Sequence, residues 1–188
     1  MDAFYERETR LPTWELFQEL LNHHHAQVAR SGDMFAVALV GARCEDADGA
    51  DLTASCRGQI AAALQSGVRT SDVVAIGPRG LFVILMENVA DWLGATVCVE
   101  RVLRGLPGDG RGLPVRLADF ADGELFLKIR IGVAISRPMH PSLAQTLTEA
   151  QAALDRCVED ATFEFAIFDE QRDADRIGAP PESLSKIV

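Results

Sequence analysis

The chain has 188 residues, 48% of them hydrophobic, and its 28 acidic and 18 basic side chains give a formal net charge of -10. This is the size of one domain, with enough apolar residues for a core that needs no disulfide staples. The charge excludes general binding to nucleic acid or an anionic membrane, and leaves room for a small anion only at a local arginine cluster.

Thr13 is placed to cap a first helix whose apolar face is Trp14, Phe17, Leu20, Leu21 and Val28, stopping near Ser31-Gly32. Residues 35–40 (FAVALV) are wholly apolar, the pattern of a central buried strand. Residues 41–51 read as a loop of small and acidic residues. A second helix is predicted over residues 52–65, ending before Gly67. Residues 73–76 and 81–85 are apolar strands separated by Gly77-Pro78-Arg79-Gly80, a hairpin signature.

A third helix spans residues 90–103, with Trp92, Ala95, Val99, Val102 and Leu103 facing inward. Residues 105–114 (GLPGDGRGLP) read as a loop, and residues 126–136 as a long strand. Ser142 and Gln145 form a capping-box pattern opening a helix over residues 142–158, striped by Leu143, Leu147, Ala150, Leu154 and Cys157. Residues 163–168 (FEFAIF) form a closing strand. Residues 1–171 thus read as one domain, and residues 172–188 as a polar, disorder-prone tail carrying Pro180-Pro181.

Cys44, Cys56, Cys98 and Cys157 form no C-x-x-C pair and read as thiols of a reducing compartment. No apolar run reaches the ~18 residues that a bilayer span needs. The N-terminus lacks signal-peptide character, so the expected location is the cytoplasm, with no membrane insertion. His23-His24-His25 is read as a solvated helix face, because consecutive helical residues point in different directions.

The element order describes an α/β fold, a single mixed sheet flanked by helices. With its central β-hairpin it resembles the GGDEF domain of diguanylate cyclases, a nucleotidyl-cyclase-like, palm-like fold, along residues 6–169. Residues 6–17 (ERETRLPTWELF) resemble the family's opening D-x-L-T-G-L-P-N-R-R-x-F, and residues 69–75 (RTSDVVA) its R-x-S-D-x-x-A. Counting on without a gap sets Pro78, Arg79, Gly80, Leu81 and Phe82 on the signature itself. Residues 130–134 (RIGVA) are similar to the late S-I-G-I-A strand.

The resemblance implies an enzyme that joins two GTP molecules with carboxylate-held metals, and here those carboxylates are missing. The acidic signature positions are Gly80 and Leu81, the glycine positions Pro78 and Arg79. Gly41-Ala42-Arg43 stands for the family's other metal-binding stretch, and Thr13 for a guanine-holding asparagine. Cations beside Arg43 and Arg79 would be repelled, so neither catalysis, metal nor cofactor is expected. Retained binding of GTP is weighed against two arginines capping a solvated turn, and the plain reading is preferred.

What the family keeps as a regulatory site remains: an R-x-x-D ending five residues before the signature, here Arg69 and Asp72. The resemblance implies that Arg69 donates to guanine O6 and N7 of cyclic di-GMP, and that Asp72 accepts from its N1–H and N2–H. Arg101 is the counterpart of a further ligand arginine, and Arg30 of one reaching a neighbouring subunit's ligand. The expected function is a catalytically inactive cyclic di-GMP receptor, signalling to a partner protein or a second copy of itself in biofilm or exopolysaccharide control. The alternatives are a ligand-independent interaction or dimerisation domain and, behind it, an active cyclase with metal ligands improvised from Glu45, Asp46, Asp48 and Asp51. The Arg69–Asp72 spacing also suits a plain local ion pair or turn.

Overall fold

The computed structural model describes residues 4–44, 52, 54–106, 113–115, 125–137, 142–160, 162, 164–173, 175 and 177. Strands β1 (Ala36–Cys44), β2 (Val73–Ile76), β3 (Phe82–Met86), β4 (Leu113–Val115), β5 (Leu125–Ile135) and β6 (Phe165–Ile167) form one six-stranded sheet. The order is β2-β3-β1-β5-β4, with β6 also on β5. All pairings are antiparallel except β5 with β6, so the sheet is mixed.

Apolar alternation sends opposite faces of each central strand into two separate layers. Ala36, Ala38, Val40, Phe82, Ile84 and Met86 face helices α2 (Ala54–Gly67) and α3 (Trp92–Gly105). Val37, Leu39, Val83 and Leu85 face α1 (Trp14–Ser31) and α4 (Leu143–Glu159). The α1 stripe is buried through Phe17, Leu21 and Val28, and Gly32 closes that helix by donating its N–H to the Val28 carbonyl at 3.0 Å. Leu147, Ala150, Leu154 and Cys157 bury the α4 stripe as the periodicity predicts. Burial pushes the Cys157 thiol pKa up, and Cys56 and Cys98 are buried as well.

Several expectations are corrected. Residues 41–44 are strand, because β5 is long enough to pair with them from Gly41 opposite Arg130 to Cys44 opposite Leu127. Residues 113–115 form edge strand β4 inside the predicted loop, and an edge tolerates its Pro114. Trp92 is 60% exposed, since burial along α3 begins only at Ala95. Ser142 and Thr13 stand at helix N-caps but neither side chain makes the capping bond. Residues 45–51 and 178–188, including Glu45, Asp46, Asp48 and Asp51, lie outside the described residues.

Beyond the boundary at residue 171, a short helix α5 (Glu170–Asp173) still packs against the domain. The buried Asp173 carboxylate lies 2.9 Å from Arg156 Nη1, while Arg156 Nη2 donates to the Ile167 carbonyl at 2.8 Å. Removing one partner of a buried pair strands the other, so Asp173→Ala is expected to cost about 3 kcal/mol in urea unfolding. Gly132 on β5 lies where an added Cβ would overlap the α4 backbone at Ala150 and Leu154. Gly132→Ala is expected to cost roughly 1–3 kcal/mol in the same measurement, by forcing helix from sheet.

Candidate functional site

The signature positions run from the hairpin turn into the first residue of β3. Gly77 N–H donates to the Leu81 carbonyl at 2.7 Å, and Leu81 N–H to the Pro78 carbonyl at 3.1 Å, closing a 3₁₀ turn over Pro78–Gly80. Arg79 is left-handed at φ 56°, an uncommon conformation for a residue with a Cβ, and Gly80 follows at φ 76°. The Arg79 side chain is exposed, whereas Phe82 begins β3 fully buried.

Leu81 turns back onto the sheet. A Cβ built on Gly41 would lie 3.8 Å from Leu81 Cδ2 and 3.9 Å from Leu154 Cδ1. Of the positions expected to carry carboxylates, Gly41 and Leu81 therefore meet beside Leu154. On the turn's other side, Arg57 Nη1 lies 3.0 Å from where a Gly80 Cβ would stand. Burial raises the pKa of nearby Glu6, but hydrogen bonds from Thr9 and the charge of Arg57 outweigh it and hold the carboxyl below its ordinary range. Among the described residues, no three His, Cys, Asp or Glu side chains gather as a metal would require.

The hairpin entrance is built differently. Helices α2 and α3 touch backbone to backbone: a Cβ on Gly67 would lie 2.9 Å from Val102 Cα. That approach, open only to glycine, lets Arg101 Nε donate to the Gly67 carbonyl at 2.9 Å. Arg101 Nη2 then reaches Asp72 Oδ2 at 3.2 Å. The same oxygen accepts the Arg69 N–H at 2.8 Å, and Oδ1 accepts the Glu87 N–H at 3.2 Å.

Asp72 is thus enclosed, its side chain 0% exposed, while Arg101 remains 33% exposed. Arg69 contributes its backbone to the cluster. Its guanidinium is exposed and makes no hydrogen bond or ion pair among the described residues.

The structure brings Arg101 and the Arg69 backbone onto Asp72, and it aims Asp72 inward. Arg30 sits in the last turn of α1, its Nε donating to the Ala26 carbonyl at 3.1 Å. It lines a cleft of about 350 Å³ with His24, Asp33, Phe35, Glu87 and Asn88. Glu87 belongs to both places, its N–H on Asp72 and its side chain in the cleft. Sequence reasoning missed Glu87, Gly67 and His24. The only signals were a charged residue directly after an apolar strand and a glycine at a helix end.

No sequence-family model and no curated protein matches the chain. Solved structures do match. The isolated GGDEF domain of DgcB from Caulobacter crescentus, in complex with c-di-GMP, superposes with a TM-score of 0.69 at 16% identity, over 89% of this chain and 96% of that one. The chain has the fold of a GGDEF domain. The FimX GGDEF domain from Pseudomonas aeruginosa gives 0.65 at 17% identity, over 88% of this chain and 99% of that one. Diguanylate cyclase SiaD from the same organism, in complex with its activator SiaC, gives 0.68 at 22% identity over 84% of this chain. This GGDEF fold spans 58% of the SiaD chain.

Proposed function

We propose that this GGDEF-fold domain is a non-catalytic cytoplasmic receptor for cyclic di-GMP. The observation that carries the reading is Arg101, fixed by Gly67 and Asp72 at the hairpin entrance, with Arg69 on the same Asp72 oxygen through its backbone N–H and its guanidinium exposed. A free guanidinium fork can donate twice to guanine O6 and N7, and the remaining donors of Arg101 suit a phosphate or a second base. Asp72 serves in this reading chiefly as the anchor of Arg101, since its oxygens already accept from three donors. The c-di-GMP held by DgcB supports the choice of ligand.

Turnover is not part of the reading. Phosphoryl transfer depends on positioned metals and charge neutralisation. At the turn, Gly41, Gly80 and Leu81 offer no carboxylate, and Pro78 removes a backbone N–H where phosphate would approach. The output is a changed contact with a partner protein or a second copy, of the kind that serves biofilm or exopolysaccharide control. SiaD in complex with SiaC supports the idea of a protein partner.

A ligand-independent interaction domain is the second reading. The observation favouring it is the run of Trp92, Leu93 and Val97 on α3, exposed by 60%, 63% and 45%. Calorimetry separates the two. Micromolar binding of cyclic di-GMP is expected in the wild type, weakened at least about tenfold in Arg69→Ala and in Arg101→Ala, the loss of a charge-assisted contact. Arg69 is exposed, so its variant tests binding without endangering the fold. No heat in the wild type would favour the interaction domain.

Incubation with GTP and Mg²⁺ or Mn²⁺ is expected to yield no cyclic di-GMP. Product formation would overturn the non-catalytic reading.

A further inference from the structure

We propose that His24 is a positioning residue for the ligand site, acting through Glu87 and Asp72 on Arg101, an inference that rests on the receptor reading above. Glu87 is where β3 leaves the sheet, and its two ends are held by different elements. Its backbone N–H donates to Asp72 Oδ1 at 3.2 Å, while its Oε1 lies 3.1 Å from His24 Nε2 on α1. The next residues are fixed as well: Asn88 is left-handed at φ 53°, and Val89 N–H donates to the Met34 carbonyl at 3.0 Å. Asp72 in turn holds Arg101 at 3.2 Å. Three polar contacts thus run unbroken from an imidazole on one helical layer to a ligand arginine on the other.

The first contact has two strengths. Histidine is the side chain whose charge ordinarily changes between about pH 5 and 8. As an imidazolium it would form a charge-assisted bond to Glu87, roughly twice as strong as the neutral one. The pair is 17% and 28% exposed, so solvent screens it less than a surface pair. Around His24, the His23 ring lies at 5.9 Å, and Arg30, Asp33 and Glu87 line the same cleft. His25 is the other titratable neighbour on α1, and the Phe35 ring meets His24 edge-on at 6.2 Å. The open cleft gives the pair direct access to protons.

With His24 charged, Glu87 is pinned, its amide stays on Asp72, and Arg101 is held ready for ligand. Such preorganisation tightens binding by reducing the ordering that binding requires. Affinity for cyclic di-GMP is therefore expected to be about fivefold higher near pH 5.5 than near pH 8, at the low end of coupling between sites. His24→Gln keeps a donor toward Glu87 but does not titrate, so it should fold, bind and show a flat pH profile.

Two measurements test the proposal together. In ligand-free protein, nitrogen–proton correlation NMR should show the Glu87 amide and Arg101 Nε–H shifting with the His24 ring titration, and standing still in His24→Gln. Calorimetry with cyclic di-GMP across the same pH range should show the affinity following that titration. A Glu87 amide that ignores His24, or a His24→Gln pH profile like that of the wild type, overturns the positioning role while leaving the receptor standing. Absence of ligand heat at every pH overturns the receptor reading, and the positioning role with it.

Discussion

Over Ala36–Val40, strand β1 is hydrogen-bonded along both edges and covered on both faces, and that double enclosure determines where the rest of the molecule can go. A strand without solvent on any side must be apolar throughout, and its flanking strands are constrained almost as tightly. β3 is locked beside it residue by residue, from Ala36 opposite Met86 to Val40 opposite Phe82. That register sets the hairpin turn next to Gly41 and leaves the entrance of β2 between the ends of α2 and α3. Both corners are placed by backbone pairing, ahead of any contact their own side chains make.

At the entrance, the governing requirement is a buried carboxylate. Removing Asp72 from water would be costly without donors, and it receives them from the residue opening its own turn, from the end of β3 and from α3. Two of the three are backbone N–H groups, one within the turn and one on the residue that follows β3. The third is Arg101, itself oriented by a glycine carbonyl. In the proposed reading an ion pair and a ligand site share the same residues: the carboxylate satisfies the fold, and the arginines keep donors for a ligand.

Much of this was legible in the residues. Apolar runs such as residues 35–40 and the periodic stripe ending at Cys157 admit few arrangements, and local spacing was enough to pair Arg69 with Asp72. What escaped was set by partners distant in sequence. Gly41-Ala42-Arg43-Cys44 looks like loop until β5 is seen to extend alongside it. Trp92 shares the helical phase of Ala95, Val99 and Val102, but as the first residue of α3 it stands ahead of the buried stretch. Glu87 reaches Asp72 across 15 residues and His24 from another layer, and no local pattern encodes either contact.

The junction of Leu81 with Gly41 and Leu154 also gives the sequence a direction in evolutionary time. An acidic residue returned to position 81 alone would replace the apolar packing that Leu81 makes with the α4 layer by a charge. One returned to position 41 alone would push against the leucine side chain. Each reversal gives up apolar contact at a half-buried junction for a charge that a bound metal would be needed to offset. For a lineage that arrived here from an acidic turn, the outward path passes through small and tolerable steps, while the homeward path requires a simultaneous one. Selection acting on such a chain can refine the arginine corner or the α3 surface far more readily than it can rebuild the turn.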